Sequence, residues 1–301
     1  MTTKTRNWLI TLLILASPFL FFLVLLLFWT AEPLPPVAPL PAPNGYDDLV
    51  KAGKTVTADA GDYHEMDEAQ LGELVARNAE ALQRLRAGLS NQCRVPVQFS
   101  QTYAENHLNE LAAFKRLAQV LAAEGRRAEM EGHPGNAAKS YLDAIHLGNE
   151  SARGGVVIDQ LVGTAIEHIG TDGLQEIAGQ FNAKSCRETA ATLETLDSQR
   201  QTWNEVMQQE RDWSRRAFPG VRNEFFRLMT RNSLNQAFQQ AEEKFNQQQE
   251  RTRQLTVDLA VRAYELDIGH SPASMADLVP VYLKAVPQNP FTGTNMSYMP
   301  K

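Results

Sequence analysis

YAENHLNELAAFKRLAQVLAAEGRRAEME, residues 103–131, decides the fold. Leu108, Leu111, Phe114, Leu117 and Leu121 recur at steps of three and four, the spacing that gathers side chains on one face of an α-helix. Gly132-His133-Pro134-Gly135 breaks the pattern, and a second helical run over residues 136–151 stops near Gly154-Gly155. Upstream, residues 67–90 read as one helix, with Leu71, Leu74, Val75, Leu82, Leu85 and Leu89 on its apolar face. Residues 91–100 form an irregular or extended link. Downstream, residues 156–181, 185–218 and 223–267 continue the helical pattern. Strand signals are confined to short runs such as residues 95–99, so the expected fold is all-α, a helical bundle of hairpins.

The longest run steps through Leu234, Phe238, Ala241, Phe245, Gln248, Thr252, Leu255 and Leu259, a heptad-like seam. Polar Gln248 and Thr252 in mid-seam favour a helix packed along its own bundle over a dimer coiled coil.

The N-terminus has another character. Residues 8–29, WLITLLILASPFLFFLVLLLFW, carry no charge and begin and end in tryptophan. At about 1.5 Å rise per residue such a run is long enough for a bilayer core of about 30 Å. A signal peptide has a shorter apolar region and a small-residue cleavage site, whereas Phe28-Trp29 stands here, so Trp8 to Trp29 reads as an uncleaved anchor in the lipid bilayer. Lys4 and Arg6 precede it and Glu32, Asp47 and Asp48 follow, which places the tail, residues 1–7, in the cytoplasm and the remainder outside it, at a bacterial inner membrane. Residues 30–45 form a proline-rich linker, with six prolines between Pro33 and Pro43, ahead of a helical domain over residues 46–268 and a short irregular tail over residues 269–301.

Beyond the anchor the chain carries 27 Lys and Arg against 35 Asp and Glu, or −8, which argues against nonspecific nucleic-acid binding. Cys93 and Cys186, in an oxidising compartment, are either a disulfide or two buried thiols. The six histidines show no HExxH, no Glu-x-x-His pair and no cluster with cysteine, and no cofactor is expected. Glu167-His168 are adjacent and point in different helical directions, while His146 and Glu150 stand one turn apart. The acidic stretch at residues 59–68 lacks the spacing of a calcium loop and reads as a polar connector. There is no GxSxG, Walker loop or GxGxxG, and no catalytic residue is assigned. Trp203, Trp213, Phe218, Phe225 and Phe226 surround Pro219-Gly220, either as core or, with Tyr141, as a partner surface.

Two segments carry a resemblance. Gly125, Ala137, Tyr141 and Ala144 set a small–aromatic–small pattern on residues 112–147, which resembles a single tetratricopeptide-type hairpin. That resemblance implies two helices crossing closely over a ring; Glu124 and Ala128 stand where the repeat has other residues, and no second copy follows at its period. From Arg262 the tail reads RAYELDIGHSPASMADLVPVYLKAVPQNPFTGTNMSY, which resembles the C-terminal part of type II secretion pseudopilins. The resemblance implies a local fold in which Gly269 ends a helix, Ser271 or Ser274 caps a short one, and Phe291 and Tyr298 pin the tail to the long helix. This chain has neither the processing site nor the early glutamate of that family, so filament assembly is not implied. The whole layout resembles envelope proteins of planctomycete-type bacteria, a resemblance that implies no activity.

The expected function is a scaffold or interaction module of the bacterial cell envelope, binding other envelope proteins. The alternatives are an accessory component of a type II secretion or pilus-like system, and an envelope hydrolase whose site is dispersed over several helices.

Overall fold

The computed structural model describes residues 17, 18, 21, 34–57, 62–100 and 102–298, with backbone alone at 104, 106, 221–229 and 231. The chain divides into two units, Met1–Ala38 with Pro219–Thr230, and Pro39–Phe218 with Arg231–Lys301. All interactions below lie within the second. The anchor expected between Trp8 and Trp29 falls outside the described residues, apart from Ser17, Pro18 and Phe21, which are helical and exposed. Among the described residues, no helix is long and apolar enough to cross a membrane.

The fold is all-α. Helices α1 (Gly45–Thr55), α2 (Glu68–Arg77), α3 (Ala79–Leu89), α4 (Tyr103–Met130), α5 (Pro134–Ala152), α6 (Val157–Ile177), α7 (Ala183–Ser198), α8 (Trp203–Ala217) and α9 (Val221–Ile268) follow in order. Short 3-10 turns lie at Ala178–Gln180 and Met275–Leu278, and Gln288 and Asn295 form an isolated antiparallel bridge.

Three helix boundaries are set by polar side chains, two of them inside runs that read as single helices in the sequence. Helix α1 begins where a linker was expected to end: Asn44 accepts from the Tyr46 amide at 3.3 Å, and its Nδ2 donates to the Arg94 carbonyl at 2.8 Å. Residues 67–90 are two helices because Asn78, fully buried, donates to the Leu74 carbonyl at 2.9 Å and accepts from the Thr57 amide at 3.0 Å. Its side chain competes with the helix for backbone partners. Residues 185–218 are likewise two helices, since Thr202 and Glu205 build a capping box that starts α8.

One apolar cluster joins α1 to α4, with Tyr46, Leu49, Leu71, Leu85, Phe114 and Leu117 at its centre. A second joins α4, α5, α6, α7 and α9 through Tyr141, Ile145, Leu174, Leu193, Leu255 and Leu259. Between α5 and α6 the backbones nearly touch. A Cβ on Gly163 would stand 2.5 Å from the Gly148 carbonyl oxygen, and one on Gly148 would stand 2.6 Å from the Gly163 oxygen. The seam of α9 packs inward as expected for a bundle: Ala241, Phe245, Gln248, Thr252, Leu255 and Leu259 are buried, while Leu234 is 40 % exposed.

The tail folds over α9. Gly269 takes φ +86°, Ser274 caps the 3-10 turn through Asp277, and Leu278 and Leu283 pack on Val257, Ala260 and Val261. Tyr298 joins that cluster, but Phe291 is 49 % exposed and pins nothing. Leu108 is also exposed, because it lies in the first turns of α4.

Candidate functional site

One buried polar group of the domain centres on His107, on the second turn of α4. Its Nε2 meets Asp159 Oδ1 at 2.5 Å and its Nδ1 meets Glu110 Oε2 at 3.1 Å. Asp159 stands at the third position of α6, where its other oxygen accepts from the Val156 amide at 2.7 Å and closes the helix N-terminus. Tyr46 of α1 donates to Glu110 at 3.4 Å, and the Tyr103 ring stacks on the imidazole with centroids 4.8 Å apart. Burial alone would lower the pKa of His107; hydrogen bonds to Asp159 and Glu110, with their charges, outweigh it and hold the ring up at about 9. The hydrogen bond from His107 in turn holds Glu110 below the usual carboxylate range. Both ring nitrogens are thus donors to carboxylates, and neither offers a lone pair to a substrate proton. On the far side, Glu210 of α8 accepts from the Val157 amide at 2.9 Å, and burial pushes its carboxyl up.

A second buried group crosses the other core. Arg200, in the link between α7 and α8, forms a two-bond pair with Glu167 of α6 and faces the Phe245 ring at 5.7 Å. Asp197 accepts from Arg253 at 2.7 Å and from Gln249 at 3.1 Å, both on α9. Gln248 donates to Thr171 at 2.7 Å. Burial would lower Arg200, but the Glu167 charge beside it holds the guanidinium above its ordinary value. These side chains join separate elements and satisfy one another.

An open cleft of about 350 Å³ lies where α2 and α3 meet the α4–α5 hairpin. Arg86, Glu124, Arg127, Glu131, Lys139 and Ser140 line it. Among the described residues, no group of three His, Cys, Asp or Glu side chains could hold a metal ion.

The residues singled out in the sequence are scattered. Tyr141 is 2 % exposed and is no part of a surface: its ring lies between Gly125 and Gly173, and its hydroxyl donates to Glu129. The small residues that marked the hairpin let the helices close over the ring. Trp203 is half-buried against Val157, Val206, Ala241 and Phe245. Trp213, also half-buried, donates to the Gln98 carbonyl at 3.0 Å and packs on Tyr103 and Phe218. The two tryptophans therefore belong to different contacts, and the side chains of Phe225 and Phe226 lie outside the described residues. Cys93 and Cys186 form no disulfide; each is a free buried thiol, in a different apolar cluster. His146 makes no hydrogen bond to Glu150, which instead binds Arg153 at 3.0 Å. Sequence reading missed His107, Asp159, Glu167 and Arg200 as partners; the capping position of Asp159 was the available signal.

The fold defines an all-α protein of packed helical hairpins. No protein-family model, curated protein or solved structure matches it.

Proposed function

We propose that the chain is a membrane-tethered helical scaffold of the bacterial envelope, held by residues 8–29 with its main domain outside the cytoplasm. The observation that carries the reading is the engagement of buried charges in pairs that join separate elements, His107 with Asp159 and Arg200 with Glu167. Such pairs brace a body and leave its surface to do the binding. The uncharged run between Trp8 and Trp29 and the prolines after it supply the tether.

Two measurements on the full chain in bacterial membranes test this. Alkaline washing should leave the chain in the pellet, and a cysteine placed by Ala42→Cys should react with a membrane-impermeant maleimide in intact spheroplasts. The buried native thiols keep the background low. Release into the wash, or labelling only after lysis, overturns the tether. Crosslinking of intact membranes should then give an adduct of defined mass, and a chain that stays alone at every dose overturns the scaffold.

The tail favours a second reading, an accessory role in a secretion or pilus-like apparatus. Its support is the helix end at Gly269, the cap at Ser274 and the packing of Tyr298, features the resemblance implies, with Phe291 departing from it. Secretion ATPase or secretin subunits in the adduct would select it.

A further inference from the structure

The cleft between α3 and the α4–α5 hairpin is unevenly equipped. Its acceptors are mostly in use, Glu131 Oε2 and Asn136 Oδ1 apart. Both Glu124 oxygens accept from Arg86, and Oε2 also accepts from Ser140 at 2.6 Å. Glu131 accepts from Arg127 Nε at 2.8 Å. Arg86 is itself engaged at all three nitrogens, since its Nε donates to Asp143 at 2.8 Å. The remaining donors have no protein partner: both Arg127 Nη atoms, the Lys139 ammonium and the Asn136 side-chain Nδ2 make no hydrogen bond among the described residues. Lys139 pairs with no carboxylate among them either.

Those donors are placed together by helix geometry. Asn136 and Lys139 stand one turn apart on α5, and Arg127 lies on the facing side of α4. The Arg127 guanidinium rests over Gly72 of α2, where a Cβ would sit 3.6 Å from its carbon. A hollow of about 350 Å³ is of the size that takes a small ligand. The open donors outnumber the open acceptors, which favours a ligand rich in acceptors, and the unpaired Lys139 ammonium, beside an Arg127 that shares its charge with Glu131, favours a negative one.

We propose that this cleft binds a small oxyanion, through Arg127, Lys139 and Asn136, carrying phosphate or carboxylate groups. The chemistry is shared by a phosphate ester and a polycarboxylate, and two probes separate them.

The test is calorimetric titration of the full chain in nanodiscs with inorganic phosphate and, separately, with citrate, against potassium chloride at matched ionic strength. Saturable binding is expected for at least one probe, and the one that binds names the source. Arg127→Gln and Lys139→Gln should each weaken it about tenfold, the effect of losing a charged hydrogen bond. Lys115→Gln, an exposed lysine on α4 away from the cleft, should leave it unchanged. Lys139 is exposed, so its replacement leaves the fold intact. No saturable heat with either anion, equal heat with chloride, or equal affinity in all three variants overturns the proposal.

Discussion

Arg200 grips Glu167 with two parallel hydrogen bonds, Nη1 to Oε1 at 2.7 Å and Nη2 to Oε2 at 2.6 Å, and both side chains are essentially out of water, at 3 % and 0 % exposure. The pair ties α6 to the α7–α8 link. Removing one partner strands the other charge in the interior, which costs about 3–5 kcal/mol. Glu167→Ala should therefore lower the urea midpoint sharply. The double change Glu167→Leu with Arg200→Met should cost less than Glu167→Ala alone, because no charge is left unpaired. A double variant as unstable as the sum of its parts would contradict this.

The contact of α5 with α6 predicts a steeper penalty for a single methyl. At Gly163 the added Cβ meets a backbone oxygen, which cannot swing away as a side-chain tip does. Gly163→Ala should destabilise by about 1–3 kcal/mol, the range of overpacked cores. Gly179→Ala has nothing within 4 Å of its new Cβ and should be close to neutral. Thermal unfolding followed by circular dichroism compares the two; equal midpoints would mean that the helices separate freely.

The long helices were legible because their burial repeats with the helical period. Residues 103–131 and 136–151, the inward seam of α9, and Gly125 facing Tyr141 all follow from spacing. So does the divergence of Glu167 and His168, whose side chains are 0 % and 52 % exposed. The breaks at Asn78 and Thr202 were less visible, because one polar residue redirects the backbone without disturbing the apolar period on either side. The buried charge pairs were invisible for another reason. His107 and Asp159 are 52 positions apart and Glu167 and Arg200 are 33 apart. Periodicity reports which face is buried, and a lone inward charge tells nothing of the helix that will meet it.

His107 predicts a pH dependence of stability with a definite sign. Its folded pKa, about 9, lies above the ordinary value of 6.5, so the folded chain holds the proton that the unfolded chain releases. The stabilisation is complete below pH 6.5 and is lost as pH rises towards 9, by up to about 3 kcal/mol. Glu110 acts oppositely and far below this window, since its lowered pKa gives stability that is lost only as pH falls through the acid range. His146, lowered by burial, also loses its contribution below pH 6.5. Urea midpoints at pH 6.5, 7.5 and 8.5 should decline in the parent chain. In His107→Gln the midpoint starts lower and stays level over the same range. A slope retained in that variant would assign the dependence to another group.

The thiols give the last prediction. Cys93 is 1 % exposed and Cys186 0 %, and they sit in separate clusters. Burial raises the Cys93 thiol to about 12, so at pH 8 its reactive thiolate is about a thousandfold scarcer than that of an ordinary thiol near 9. The reagent must also wait for the α1–α3 region to open, since the Cys93 sulfur lies under the Gly45 backbone, 2.7 Å from where a Cβ would stand. In the native chain without reductant, Ellman's reagent should therefore react far more slowly than in denaturant, since burial raises both thiols. In denaturant, still without reductant, it should count two thiols per chain. A count of zero there would mean that the cysteines are bonded, and rapid reaction in the native chain would mean that the first core opens far more readily than its packing implies.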